Sequence, residues 1–190
     1  KKVKAVVGAA VNLLAGIPSV VYGLVGMLVL VPGIRILFNL PDGASLLASI
    51  IVLAVMILPS IIKMSMTALD AVPREYEEGS LALGATTTET YFKVSVPAAK
   101  SGIAAAVVLG VGRAIGETMA VIMVAGNVAN MPTLFGSVRF LTTAVASEMS
   151  YSSPGSLQRN ALFSIALVLF LFIMLINATL NFLLKRDKEK

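Results

Sequence analysis

Residues 72–97 read VPREYEEGSLALGATTTETYFKVSVP and form the longest segment of the chain that is too polar to lie in lipid. The segment holds four of the ten acidic residues, and strongly apolar sequence flanks it on both sides. Charged side chains are costly inside a bilayer, so this segment belongs in water. It predicts a soluble platform attached to a membrane core, and residues 73–97 are called the platform below.

Local signals predict two short helices in the platform. Pro73 suits the first turn of a helix, acidic residues follow where the helix dipole favours them, and Gly84 is a natural stop. Thr86 or Thr87 can cap a second short helix, which Pro97 should end. Two short helices at a membrane face would make a docking surface.

The composition indicates an integral membrane protein. Hydrophobic residues make up 57% of the chain and charged residues 13%, and the mean hydropathy is +0.92. The sequence contains no His and no Cys, which removes most options for metal binding, thiol chemistry and histidine acid–base catalysis. A net charge of +5 in so apolar a chain indicates membrane orientation rather than nucleic-acid binding.

Apolar segments predict a single all-α, polytopic transmembrane domain over residues 1–190. Its four spans are expected at about 17–38, 44–69, 98–128 and 160–184. The basic N-terminal segment is expected to form an interfacial helix before the first span. The polar loop 129–159 has a weakly apolar centre that either re-enters the membrane or lies at the interface, and its Glu148 is expected to be solvated.

The distribution of Lys and Arg predicts the orientation of the spans. With the platform in the cytoplasm, eleven of these residues lie in the platform, the chain ends and the adjoining segments on that side. Only three lie in the opposite loops. This asymmetry satisfies the positive-inside rule for four spans with both ends of the chain in the cytoplasm.

Arg113 and Glu117 are two ionisable residues deep in the predicted third span. They are four residues apart, so on a continuous helix they share a face and can pair. A charge at the bilayer centre costs about 2.5–3.5 kcal/mol on insertion scales, so this face should meet protein or water. One interpretation is an ion pair that fixes packing. The other is the lining of an anion path, since the planar fork of an arginine can meet two phosphate oxygens.

The glycines Gly112 and Gly116 stand beside these charges on the same predicted helix. Their four-residue spacing would let another helix approach closely, and ordinary membrane packing explains it as well.

The platform resembles the EAA loop of ABC-importer permeases, whose pattern is Glu-Ala-Ala, three residues, Gly, nine residues, Ile, any residue, Leu-Pro. The spacing is kept throughout, with small or apolar replacements, at Glu78, Gly79, Ser80, Gly84, Val94, Val96 and Pro97. The resemblance implies a cytoplasmic platform that inserts into a groove of a separate ATPase. The residues that it assigns to this coupling are Glu78, Gly79, Ser80, Gly84 and Pro97.

Residues 14–23, 112–121 and 146–149 resemble the phosphate-specific permeases of this class, and the resemblance covers nearly the whole chain. The run Gly-Glu-Thr-Met-Ala at 116–120 is closer to the PstC type than to the PstA type. The resemblance implies the C-terminal portion of a type I (MetI-like) ABC importer permease in the prokaryotic cytoplasmic membrane, with Arg113 and Glu117 in phosphate passage. The implied partners are a PstA-like permease subunit, a PstB-like ATPase dimer and an extracytoplasmic phosphate-binding protein, and no cofactor is implied.

Other functions remain open from the residues alone. The sequence has no Gly-x-x-x-x-Gly-Lys-Ser/Thr loop, so a transporter needs its ATPase on another chain. An intramembrane enzyme is disfavoured, because the sequence lacks His, Cys and a carboxylate pair within a span. A permease for molybdate or sulfate and a passive anion channel both remain, although a channel gives no reason for a structured acidic platform.

Overall fold

The computed structural model describes the backbone of residues 2–188 and the side chains of residues 8–179. Helices dominate the described chain, which confirms the all-α prediction, and the extended segments contribute an isolated bridge between Gly126 and Val138. We number the helices α1 (Lys2–Ala15), α2 (Ser19–Leu37), α3 (Leu46–Asp70), α4 (Arg74–Ala82), α5 (Thr87–Ala98), α6 (Lys100–Gly116), α7 (Met119–Ile122), α8 (Leu141–Glu148) and α9 (Leu157–Lys188). Both α2 and α5 contain a π-helical turn, at Gly26–Leu30 and Tyr91–Ser95.

Three described helices are long and apolar enough to cross a membrane: Ser19–Leu37, Leu46–Asp70 and Leu157–Thr179 of α9. Helices α5 and α6, which are bent by 65° relative to each other, raise the number to four when they are taken as one span. Most side chains of the described part of α9 are exposed on this chain. Such a helix needs lipid or further protein around it.

The chain divides into two compact units, which are described separately. The platform unit contains Leu58–Val111 together with the described parts of the two chain ends. The loop unit contains Gly16–Ile57 and Gly112–Ile176.

The core of the loop unit joins α2, α3 and the segment around α7. Its buried residues are Ile34, Ala48, Val52, Met56, Ala120 and Val124. Glycines permit the close packing on α2: a methyl group at Gly23 would lie 2.8 Å from the Ala120 Cα. A methyl group at Gly26 would lie 2.7 Å from a methyl of Val52. The sequence of α2 therefore requires small residues where it meets α7 and α3.

The third predicted span differs from the structure. The sequence predicted a continuous span over about 98–128, whereas α6 ends at Gly116 and only the four residues of α7 follow. Beyond α7 the chain passes through Gly126 and Asn127, both with positive φ, into extended backbone. We call residues 116–118 the break. Apolar sequence resumes at Met119, directly after the break, so hydropathy alone could not reveal where the helix ends.

Candidate functional site

The first platform helix ends in a local glycine motif. Gly84 adopts a φ of +86°, and its N–H donates to the Leu81 carbonyl at 3.0 Å. The N–H of Ala85 donates to the Ser80 carbonyl at 3.3 Å. These two bonds form a Schellman motif, which satisfies carbonyls at the end of α4. The predicted stop at Gly84 therefore has a specific backbone cause.

The second platform helix starts with a capping box. Of the two predicted candidates, Thr86 is the cap: its hydroxyl accepts from the Glu89 N–H at 3.3 Å, and Glu89 Oε2 accepts from the Thr86 N–H at 3.1 Å. Lys93 Nζ lies 3.5 Å from Glu89 Oε1. The backbone N–H of Thr86, its hydroxyl and then the Lys93 ammonium hold the pKa of the Glu89 carboxyl below its ordinary value.

Two side-chain hydrogen bonds join the platform helices. Ser95 Oγ donates to Glu77 Oε1 at 2.8 Å, and the hydroxyls of Ser80 and Thr90 lie 2.9 Å apart. Ser95 is 1% exposed and Thr90 is 4% exposed, so both bonds lie at the contact between helices. Glu77 and Ser80 are three residues apart and share one face of α4, which turns toward α5.

The residues assigned to coupling occupy different environments in this arrangement. Glu78, Gly79, Gly84 and Pro97 are exposed, whereas Ser80 is half-buried and bonded to Thr90. A methyl group would have open space at both Gly79 and Gly84.

Sequence reasoning missed two further features of the platform. Leu83, at the end of α4, is 91% exposed, and Tyr76 in the same helix is 56% exposed. Glu77 and Ser95 were also missed, because a bond across 18 residues has no local signal.

Arg113 and Glu117 lie on either side of the end of α6. Arg113 is in the last turn of α6 and is exposed on this chain. Glu117 follows the helix and is half-buried, and its Oε1 accepts from the Ala120 N–H at 3.1 Å. The expectation that both residues lie on one continuous helix is therefore wrong, because α6 ends at Gly116. The carboxylate of Glu117 is turned to the first turn of α7.

A side chain from α8 reaches the break. Thr142 Oγ1 donates to the Glu117 carbonyl at 3.0 Å, across 25 residues of chain. The carbonyls near a helix end lack partners within the helix, so a donor from elsewhere is needed. The sequence gives no signal for this contact.

A polar network holds α8 in place. Arg139 pairs with Glu148 and donates through Nε to the Asn127 carbonyl at 3.0 Å. Thr143 donates to Asn127 Oδ1 at 3.2 Å, and Gln158 Nε2 lies 3.5 Å from the second oxygen of Glu148. The expectation that Glu148 is a solvated loop acid is therefore wrong, because it binds groups from two other segments.

Two glycines of α6 allow close helix packing within the platform unit. Of the pair named from the sequence, Gly116 would accept a methyl group with nothing within 4 Å among the described residues. A methyl at Gly102 would lie 2.5 Å from the Ala68 Cβ, and one at Gly110 would lie 2.5 Å from Ile61. In the platform unit, Gly102 and Gly110 therefore bring α6 against α3.

Comparison with known proteins identifies the class. Residues 1–187 match the family described as binding-protein-dependent transport system inner membrane component. A probable ABC transporter permease protein of Bacillus subtilis, YqgH, is 48% identical over 178 residues, which cover 91% of this chain and 58% of that protein.

Two phosphate transport system permease proteins named PstC are also similar. The one from Mesorhizobium japonicum is 36% identical over 200 residues, covering 95% of this chain and 61% of its own length. The one from Pasteurella multocida is 33% identical over 204 residues, covering 97% and 63%. This chain spans about three fifths of the length of these relatives.

Proposed function

The chain belongs to the family of binding-protein-dependent transport system inner membrane components, and we propose that it forms part of a permease that imports inorganic phosphate using ATP hydrolysed on another chain. The family match confirms the prediction of a transport component rather than an enzyme. In this proposal, residues 1–190 form one permease domain with the platform and both chain ends in the cytoplasm.

The platform is the observation that carries the proposal. Two capped helices joined by the Glu77–Ser95 and Ser80–Thr90 bonds can move as one rigid piece, which a flexible loop could not do. Exposed Leu83 at the end of α4 gives an apolar anchor for a groove on the ATPase, and Glu78 and Gly79 are exposed on the same helix. A passive channel has no use for such a surface.

The position of Arg113 supports an anionic substrate. Arg113 is exposed and lies in the last turn of an apolar helix, where a charge is costly unless it faces protein or water rather than lipid. Arg can hold two oxygens of a tetrahedral oxyanion. Glu117 stands at the adjoining break, where its negative charge would limit how long the anion stays. The PstC names of two relatives favour phosphate over molybdate or sulfate.

The mechanism that follows is alternating access. Helix α6 begins three residues after Pro97 and carries Arg113 in its last turn. Closure of an ATPase dimer on the platform would therefore reach the arginine along the chain, through the 65° bend between α5 and α6 and then along α6. Phosphate would arrive from an extracytoplasmic binding protein and pass along a path shared with a second, PstA-like permease subunit.

The test is uptake of labelled phosphate into vesicles that contain the full-length permease with its partner subunits. Uptake that needs ATP and resists excess sulfate and molybdate is expected. Uptake without ATP would contradict the importer and favour a channel. Uptake that sulfate or molybdate abolishes would contradict phosphate as the substrate and keep the transporter.

A further inference from the structure

The break leaves a backbone carbonyl that needs a partner. Around it, the Glu117 N–H donates to the Ala114 carbonyl at 3.2 Å, and the Thr118 hydroxyl lies 3.4 Å from the Gly116 carbonyl. These contacts are local. The Glu117 carbonyl instead accepts from Thr142 at 3.0 Å, which fixes the break relative to α8. Leaving this half-buried carbonyl without a donor would cost free energy.

Thr142 is itself held in a defined place. It is half-buried in the first turn of α8, where Arg139 lies just before the helix and Glu148 at its end. The Arg139–Glu148 ion pair therefore spans α8 from one end to the other, and Arg139 also binds the Asn127 carbonyl. The next residue, Thr143, is fully buried and bonded to the Asn127 side chain.

Glu117 belongs both to the break and to this network. Its carbonyl is held by Thr142, while its carboxylate accepts from the Ala120 N–H. Backbone and side chain of the same residue are thus both fixed, and a shift of the carbonyl would turn the carboxylate away from α7. Arg113 is one helical turn before Glu117 and moves with the same end of α6.

We propose that Thr142 is a positioning residue for the anion path: its hydroxyl sets the place of Glu117, and through it the distance from the carboxylate to an anion at Arg113. The inference rests on the proposed function of Arg113. The proposal adds Thr142, a residue on a separate helix that acts through Glu117.

The test measures phosphate uptake in vesicles with the complete transporter carrying Thr142→Val, which keeps the shape and removes the donor. The phosphate concentration for half-maximal uptake is expected to rise about three- to tenfold, the range that one lost hydrogen bond covers. Thr142→Ser keeps the donor and should restore the wild-type value. The matched control is Thr67→Val, because the Thr67 hydroxyl donates to the Lys63 carbonyl one turn earlier in α3.

A second readout does not depend on phosphate. This chain has no cysteine, so Met119→Cys beside the break can be labelled with a membrane-impermeant maleimide, against a background sample without that substitution. Met119 is 55% exposed. Thr142→Val should change the labelling rate about threefold or more, and Thr142→Ser should leave it unchanged.

Each remaining outcome decides the proposal. A lower maximal rate with unchanged half-saturation and labelling would make Thr142 merely structural and overturn it. Should Thr142→Val not assemble, Thr142→Ala takes its place, and loss of assembly in both would also overturn a positioning role. Normal uptake by Arg113→Gln would instead refute the proposed role of Arg113 in the anion path, while the labelling would still report whether Thr142 holds the break.

Discussion

The platform and the break are both places where a helix stops at a glycine, and they stop for different reasons. At Gly84 the backbone turns to a φ of +86°, and bonds within six residues close the end of α4. Gly116 makes no such turn, and the next carbonyl is satisfied by Thr142 from 25 residues away. The first stop is built into the local sequence. The second exists only when the loop unit is folded around it.

This difference predicts which substitutions each region tolerates. Just after the break, Gly23 of α2 packs directly against the backbone of α7, so added volume has nowhere to go at that contact. On the platform, the outer faces of the two helices are open, and stability comes from caps and two hydrogen bonds. Substitutions that add or remove single groups therefore test whether the two regions differ in this way.

The largest effect is expected from Gly23→Ala in the loop unit. The new methyl group would lie 2.8 Å from the Ala120 Cα, so the backbone of α2 or α7 must shift. Overpacking of this kind costs typically 1–3 kcal/mol, and contact with backbone favours the upper end of about 3 kcal/mol. The measurement is the thermal unfolding temperature of the purified permease.

The matched control is Gly79→Ala on the platform, where the same methyl group meets open space. Alanine is the better helix former by about 1 kcal/mol, so this variant should be as stable as the wild type or more stable. Equal destabilisation by the two substitutions would contradict the contrast between the regions.

A smaller effect is expected from Ser95→Ala, which removes the donor to Glu77 between the platform helices. Stability should fall by about 1.5 kcal/mol, the loss typical of a bond to a charged group. Because the two helices would then move separately, phosphate carried per ATP hydrolysed should also fall. The control is Ser164→Ala, which removes a hydroxyl that donates to the Asn160 carbonyl within α9. An unchanged ratio of phosphate to ATP would show that the platform need not be rigid.

The smallest effect concerns the charge of Glu89. Because its folded pKa lies below the ordinary glutamate value, ionisation of Glu89 favours the folded platform. That contribution is present above the unfolded pKa and is lost as the pH falls through the folded pKa. Glu89→Gln can keep the capping box without the charge, so it should unfold slightly earlier than the wild type at neutral pH. The difference should vanish on acidification, and a difference that grows would contradict this role.

Much of the platform could be predicted from the sequence because its signals are local. Pro73, Gly84 and Thr86 act on backbone within a few residues, and the structure places the helix ends within one or two positions of the prediction. Helix α5 continues only one residue beyond Pro97. The exposed Leu83 carries no such signal, because exposure depends on the whole surface.

The break could not be predicted because it depends on contacts between residues far apart in the sequence. The residues after Gly116 are mostly apolar, so hydropathy favours a continuing helix. The Glu117 carbonyl at the helix end is bonded by Thr142 of α8, and this contact has no signal in the local sequence. The roles of Arg139 and Glu148 likewise depend on a contact across nine residues. Arg113 could be named as a candidate site residue from the sequence, because a charge in an apolar helix is costly. That argument does not depend on where the helix ends.

The measurement that tests the account most directly is phosphate uptake and ATP hydrolysis in the same vesicles, with Arg113→Gln beside the wild type. The control is Arg35→Gln, which removes an equal charge at the end of α2. We expect Arg113→Gln to assemble and hydrolyse ATP but to carry no phosphate, and Arg35→Gln to carry phosphate normally. Wild-type uptake by Arg113→Gln would contradict the anion path at the break.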